Sequence, residues 1–388
     1  MPISKGTAKQ VGYKKETTWG TLAGAASGKL LRRVTASFNL VKDAYESGEI
    51  RTDRQIADYR HGVRSAEGSL NGELSPATYA DFMGSIVGKD FATSTASAAS
   101  VAVDGTGNIG VVSGADFIAA GFKVGMVVQT AAAKNMLVTT VGTTSMSVIS
   151  LNGTTIADET GVTVAAVGKV TFVPTSGHTD DSYTVEEWYA DIGQSEVYTG
   201  MKLNSMAVQL PATGLTTVDF GFAGKDLTQK GTTQYFTSPT AQNSNGIFAA
   251  VNGVMLVAGQ PVALVTSADF TVERATENAT AVGSNSVAEI FTGRIRVTGN
   301  LSVYFQDATF RGYFDEETPV SIVLALTTDS TDDSQFVTFT LPKVKLGSFT
   351  KDDGELGIVA STSFQALLNN VTTGGLPATT IQIQDSAA

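Results

Sequence analysis

Alternating apolar and polar positions run through this chain and recur in the same order twice. Residues 31–41 and 263–272 read as strands, and after a polar segment residues 63–74 and 294–305 read as second strands, with the alternation plain in Leu70-Asn71-Gly72-Glu73-Leu74. A helix follows each pair. In the first passage Ser75 is placed as the N-cap and Pro76 at the first helical position, and Tyr79, Phe82, Met83 and Ile86 recur at helical spacing before Gly88. In the second, Asp307 caps a shorter helix with Phe310, Tyr313 and Phe314 on its apolar face, ending before Thr318-Pro319. These aromatic side chains are expected to pack each helix on its own sheet, a ligand pocket being the alternative. Each passage closes with a strand pair: 200–210 with 215–223, turned at Pro211-Ala212-Thr213-Gly214, and 336–349 with 357–367, turned around Lys351-Asp352-Asp353-Gly354.

The shift that carries Val34 onto Val265 also carries Gly62 onto Gly293, Gly68 onto Gly299, Leu70 onto Leu301 and Ala77-Thr78 onto Ala308-Thr309. Leu74, Tyr79, Phe82 and Met83 fall on Phe305, Phe310, Tyr313 and Phe314, and Phe38 meets Phe270 after a one-residue slip. Order, turn glycines and apolar character agree, which reads as an internal duplication; two unrelated β segments of similar periodicity are the alternative. Between helix and closing pair the second copy has a short linker near 327–334. The first carries an insertion over 92–172, poor in charge, with β-like runs Met126-Val127-Val128 and 136–141. Insertions are tolerated on one face of a unit, so this one is expected to be a small projecting β-domain. The expected fold class is mainly β with short helices: two duplicated β-sandwich or half-barrel units plus the inserted domain. The expected division is an arm over 1–29, a first unit over 30–91 and 173–230, the insertion over 92–172, a connector over 231–260 and a second unit over 261–388.

Composition narrows the chemistry. With 388 residues and 42% hydrophobic content the chain can bury a sizeable core, and 40 glycines with only 16% charged residues suit short strands joined by tight turns. The absence of cysteine removes disulfides, thiolate metal sites and thiol nucleophiles, and suits assembly in a reducing compartment. A net charge of −11 disfavours a nucleic-acid-binding face, although it leaves room for a surface along which a polyanion slides. Residues 1–21 lack the apolar core of a signal peptide, and the longest apolar stretch, 248–265, is broken by Asn252, Gln260 and Pro261, so a soluble chain without a membrane span is expected.

Candidate chemistry is sparse. Of the two histidines, His61 and His178, neither accompanies a nucleophile elbow. Gly105-Thr106-Gly107-Asn108-Ile109-Gly110 has dinucleotide-loop spacing but is followed by strand-like Val111-Val112 instead of a helix, so a turn is expected. The carboxylate clusters at 329–333 and 352–355 lack calcium-loop spacing and read as solvated turns. No catalytic residue, cofactor or metal is expected. The segment with most charge carries Glu46, Glu49, Arg51, Asp53, Arg54, Asp58 and Arg60, both signs without period. It reads either as a reaching loop whose ion pairs meet a partner subunit or as a plain solvated loop.

Three stretches resemble a known family. Glu16-Thr17-Thr18-Trp19-Gly20-Thr21 is similar to the start of phage tail tube proteins. The run Ser47-Gly48-Glu49-Ile50-Arg51-Thr52-Asp53-Arg54-Gln55, then Gly62, then Gly68-Ser69-Leu70-Asn71-Gly72-Glu73-Leu74-Ser75 with Tyr79, resembles the signature of major tail tube proteins of long, flexible-tailed, siphovirus-type bacteriophages. Asp116-Phe117 and Gly121-Phe122-Lys123-Val124-Gly125 resemble the extra β-domain of such proteins. The resemblance implies a structural subunit of the virion tail, assembled in the host cytoplasm into stacked rings whose hairpins form a β-barrel around a lumen. Two units per chain imply a trimeric, pseudo-sixfold ring, with a hexamer as the alternative. Implied partners are further tail proteins such as the tape measure and tail terminator, and DNA passing without specific binding. The competing readings are a β-rich surface adhesin or other virion decoration protein, and a polysaccharide-degrading tail enzyme.

Overall fold

The computed structural model describes residues 3–114, 116–262, 264–353, 355, 357–371 and 373–388. It is mainly β, with two short α-helices among the described residues, Ala80–Val87 (α1) and Thr309–Asp315 (α2). Two long antiparallel hairpins organise it: Thr35–Glu46 with Tyr59–Glu73, and Val265–Ala279 with Glu289–Tyr304. The expected strand at 263–272 begins at Val265; Ala263 lies outside the described residues, as does Gly354 of the second closing turn.

The hairpins belong to one continuous antiparallel sheet. Its order is Thr35–Glu46, Tyr59–Glu73, Thr217–Gly224, Gln194–Pro211, Val265–Ala279, Glu289–Tyr304 and Val359–Ala366, with Phe336–Leu346 and Thr350–Lys351 beyond. One face is the core, where Phe38, Leu70, Phe220, Met206, Val208, Phe270, Leu301 and Phe364 sit at alternate positions. In the first hairpin Phe38 stands opposite Gly68, which stands opposite Phe222 on the next strand. In the second, Phe270 stands opposite Gly299, which stands opposite Phe364. The missing side chain lets a ring lie over the middle strand: a Cβ on Gly68 would overlap the Phe38 ring, and one on Gly299 would run into the Phe364 ring and the Asp269 carbonyl. Four residues past the core phenylalanine each hairpin carries a register shift, between Lys42 and Ala44 in the first and Arg274 and Thr276 in the second, and the second has another between Val265 and Ser267 with no counterpart in the first.

Helix α1 buries Phe82, Met83, Ile86 and Val87, with Tyr79 buried at its start and Gly88 as a left-handed C-cap at φ 79°. The N-cap expected at Ser75 is corrected. The helix begins at Ala80 because Ala77 takes a positive φ of 61°, which interrupts helical geometry, and gives its N–H to the buried Asp385 carboxylate at 2.8 Å. Ser75 Oγ instead lies 2.6 Å from Thr78 Oγ1. In α2 the Asp307 carboxylate accepts the Thr309 N–H at 2.8 Å. Its aromatics Phe310, Tyr313 and Phe314 are half-buried, and Phe310 and Tyr313 pack against the core.

Within the stretch expected as an N-terminal arm, Lys9–Lys15 forms a strand along Tyr183–Tyr189, and Val11 and Tyr13 are buried. Within the stretch expected as a connector, Gly253–Val257 pairs in the same way with Val320–Thr327. A 3-10 turn precedes each, Gly6–Ala8 and Ala250–Asn252. Inside the insertion, six strands from Ser97–Val103 to Glu159–Ala166 close a small barrel around its own cluster, including Val101, Phe117, Phe122, Leu137 and Val164. Its stems, Ala92–Thr93 and Lys169–Phe172, pair with each other, and Lys169–Phe172 pairs with Gln382–Asp385 of the main sheet. The barrel is seated on the body: Leu256, Val323, Ala325 and Phe336 join its cluster, and Gln384 accepts the Val127 N–H at 2.9 Å and donates to the Val127 carbonyl at 3.0 Å.

Because each glycine of the two triplets sits under a ring, Gly68→Val and Gly299→Val are expected to lower unfolding stability by about 2 kcal/mol or more, the scale of core overpacking. Gly48→Ala, with nothing within 4 Å of the new carbon, is the control expected to leave it unchanged. Urea unfolding of the three variants checks this.

Candidate functional site

The sheet face opposite the core is an organised polar surface that the hairpins build. On the outer strand it carries Ser37 and Asn39; on the next Glu67, Ser69, Asn71 and Glu73; then Asp219 and Gly221, and Ser205, Ala207 and Gln209. Past the junction between the hairpins it continues with Asp269, Thr271 and Glu273, then Arg296, Thr298 and Asn300, then Ser361, Ser363 and Gln365. All are exposed or half-buried. Small hydroxyls, amides and glycine make the face smooth, and it is tied by cross-strand pairs: Asn71 donates to Asp219 at 2.7 Å and Asn300 to Asp269 at 3.0 Å.

Its charge has one dominant sign. Glu67, Glu73, Asp219, Asp269 and Glu273 face Arg296, which stands opposite Glu273. Outside the Arg294 and Arg296 groove beside Glu273, the carboxylates repel phosphate, and the face offers a polyanion no aromatic stacking platform. Sequence reasoning left this surface unassigned. The signal was present in the alternation of each strand, but the shared face appears only once the register of all the strands is known.

The charged segment between the strands of the first hairpin is fully exposed over 48–60. Glu46 and Arg60 extend the strands, Glu46 opposite Tyr59 and Arg60 opposite Tyr45, so the loop proper is 47–58, closed by the Ser47 N–H on the Asp58 carbonyl at 2.9 Å. Two of its ion pairs form within the segment, Arg51 with Asp53 at 2.8 Å and Arg60 with Asp58 at 2.9 Å. The Arg51 guanidinium holds the Asp53 carboxyl below its ordinary pKa. Glu46, Glu49 and Arg54 have no ion pair among the described residues. Ile50 and Ile56 project fully or largely into solvent among these charges, an apolar element that a reading by charge alone passes over.

The other sequence candidates sit in structural roles. His61 is exposed on its strand, its ring 5.3 Å from that of Tyr59. The Gly105–Gly110 run is a turn at 105–107 that leads into the barrel strand Asn108–Val111, with Asp104 accepting the N–H groups of Thr106 and Asn108 at 3.0 and 2.9 Å. Asp332 accepts the Thr154 hydroxyl at 2.8 Å, tying the barrel to the body, and Asp352 accepts the Val359 N–H at 2.7 Å. Among the described residues no group of three or more His, Asp or Glu is arranged to hold a metal ion, and no helix is long and apolar enough to cross a membrane.

The long hairpins and the smooth, mainly acidic face belong to one continuous sheet. The family described as phage tail tube protein matches residues 6–366, and the chain belongs to that family. No curated protein matches it. Membership makes the chain a structural subunit of the virion tail that assembles with other tail proteins into a multimeric tube.

If the acidic face meets a passing polyanion, reversing it creates adhesion. The triple variant Glu67→Lys, Asp219→Lys, Asp269→Lys is expected to retain double-stranded DNA at low salt and release it as salt rises, whereas the parent chain does not bind. Gel-shift titration at two salt concentrations measures this.

Proposed function

We propose that the chain is the major tail tube subunit of a siphovirus-type tail, with two tube units per chain and three chains per pseudo-sixfold ring. The observation that carries this reading is the repeated register: the Phe-Gly-Phe triplet and the register shift beyond it occupy the same places in both hairpins. A packing solution that specific, recurring with its irregularity, supports duplication over coincidence. In this ring the smooth acidic face lines the lumen and lets DNA pass without specific binding, and the small barrel faces outward as a decoration of the first unit only. The chain acts as conduit and scaffold without catalysis, meets the tape measure inside and the tail terminator at its end, and is assembled in the host cytoplasm. A hexamer of chains would double the wall strands and is the less favoured arrangement.

Negative-stain microscopy of the purified chain tests this: stacked rings with a central hole and threefold decoration are expected, and dispersed monomers at high concentration would sink the reading. We further assign the 47–58 loop to contact between rings, on the support of its reach, its exposed Ile50 and Ile56 and its unpaired Glu49 and Arg54. Ile50→Asp with Ile56→Asp is expected to shorten stacks at least severalfold while single rings persist, as counted in the same micrographs; undiminished stacks would remove the loop from the interface.

A further inference from the structure

Within one chain the two units meet edge to edge. The outer edge of Gln194–Pro211 pairs antiparallel with that of Val265–Ala279, placing Met206 opposite Val272, Val208 opposite Phe270 and Leu210 opposite Ala268. Each unit holds a counterpart of the edge that the other one uses. Lys202-Leu203-Asn204-Ser205-Met206 corresponds to Lys345-Leu346-Gly347-Ser348-Phe349, and the counterpart of Val265–Ala279 is Thr35–Glu46. Among the described residues, Thr350–Lys351 pairs only with Val359–Ala366, and Thr35–Glu46 only with Tyr59–Glu73. Both outer edges are open.

At the Thr35–Glu46 edge, side chains stand in for a strand. Lys9 donates to the Ala36 carbonyl at 2.8 Å, the Phe38 N–H donates to Glu187 at 3.2 Å, and the Tyr198 hydroxyl donates to the Phe38 carbonyl at 2.8 Å. These side chains satisfy the edge in the isolated chain, and a docking strand takes their place with backbone groups.

We propose that a second copy of this chain docks its 348–353 edge there and repeats the internal junction, with Phe349 opposite Leu40, Thr350 opposite Asn39 and Lys351 opposite Phe38. The inference rests on the ring reading above and adds the register of its contact. Charge supports it. Under the internal junction Val208, Leu324 and Leu341 are core residues. Their counterparts at the open edges are Lys351 on one side and Glu187 and Tyr198 on the other, so an apolar match becomes a lysine facing a buried carboxylate. Glu187 is buried with Lys9 at 2.6 Å, and the Glu196 carboxylate lies 3.2 Å from the Tyr198 hydroxyl, so two carboxylates stand beside one lysine where Lys351 arrives.

An unfilled groove points the same way. In the first unit the chain's own connector seals the groove beside α1: Asn245 donates to the Pro76 carbonyl at 2.9 Å, and the Phe248 backbone bridges Leu74 and Thr216, both at 3.0 Å. The counterpart beside α2, a cavity of about 390 Å³ lined by Leu264, Tyr304, Phe305, Phe310 and Tyr313, is open. The two 3-10 turns, Gly6–Ala8 and Ala250–Asn252, set the correspondence, so docking carries Ile3 and Ser4 of the receiving copy, whose Thr35–Glu46 edge is paired, into the α2 groove of the incoming one, at the places of Ile247 and Phe248. Ile3 is 88% exposed in the single chain.

Disulfide trapping tests the register on a chain with no native cysteine. Asn39 and Thr350 are exposed, so Asn39→Cys and Thr350→Cys should each leave tubes intact in micrographs. Oxidised tubes of the double variant are expected to give reductant-sensitive dimers and trimers on a gel, at least tenfold above the pair Asn39→Cys with Gln365→Cys. Tubes that form normally but give no excess cross-link overturn the docking register and leave the tube reading standing. A parent chain that forms no rings overturns the tube reading, and this inference with it.

Discussion

The structure depends on one ladder of backbone hydrogen bonds, that between Gln194–Pro211 and Val265–Ala279. It fuses two four-stranded sheets into one surface, and it does so through edges that a free-standing sheet would have to protect. Everything on either side is placed by it: the core residues on one face, the hydroxyls and carboxylates on the other, and the long hairpins that project beyond. Because side chains alternate, slipping this ladder by one residue would turn Phe270 and Val272 out of the core and bring Asp269 and Thr271 in. The register is therefore held by hydrophobic burial on one face alone, which leaves the other face free to vary in charge.

Much of this was legible in the amino-acid sequence. The strand pairs, both helices and the small inserted domain follow from periodicity and turn residues, and the glycines at 68 and 299 marked equivalent places before their neighbours were known. What the sequence left hidden was tertiary. Lys9–Lys15 reads as a polar arm because lysines and a glutamine flank Val11 and Tyr13, yet those two apolar positions suffice to dock it beside Tyr183–Tyr189. Ser75-Pro76 has the chemistry of a helix start, and a buried carboxylate more than 300 residues away, Asp385, takes the Ala77 N–H and delays the helix. The acidic face was invisible because no single strand carries more than two of its charges; it exists only as a sum across seven strands.

The two halves of the sheet differ in how they are covered. In the first, α1 and its groove are sealed by the connector, with Phe248 fully buried. In the second, α2 is half-buried and its groove open. One half is thus covered, and the other remains exposed in the isolated chain. The inserted barrel adds to the asymmetry: it has its own closed ladder and core, and it is fastened to the second unit through Val323, Ala325 and Phe336 although it is inserted in the first.

That fastening has a bearing on the order in which the molecule comes into being. Gln382–Asp385 pairs with both Lys169–Phe172 and Phe336–Leu346, and Gln384 reaches into the barrel at Val127. These partners leave the ribosome long before their clasp does, and pairings so distant in sequence are slow to find one another. The small barrel has a ladder of its own, but its seat on the body depends on Gln382–Asp385. Three elements far apart in sequence are therefore held together at a single short strand.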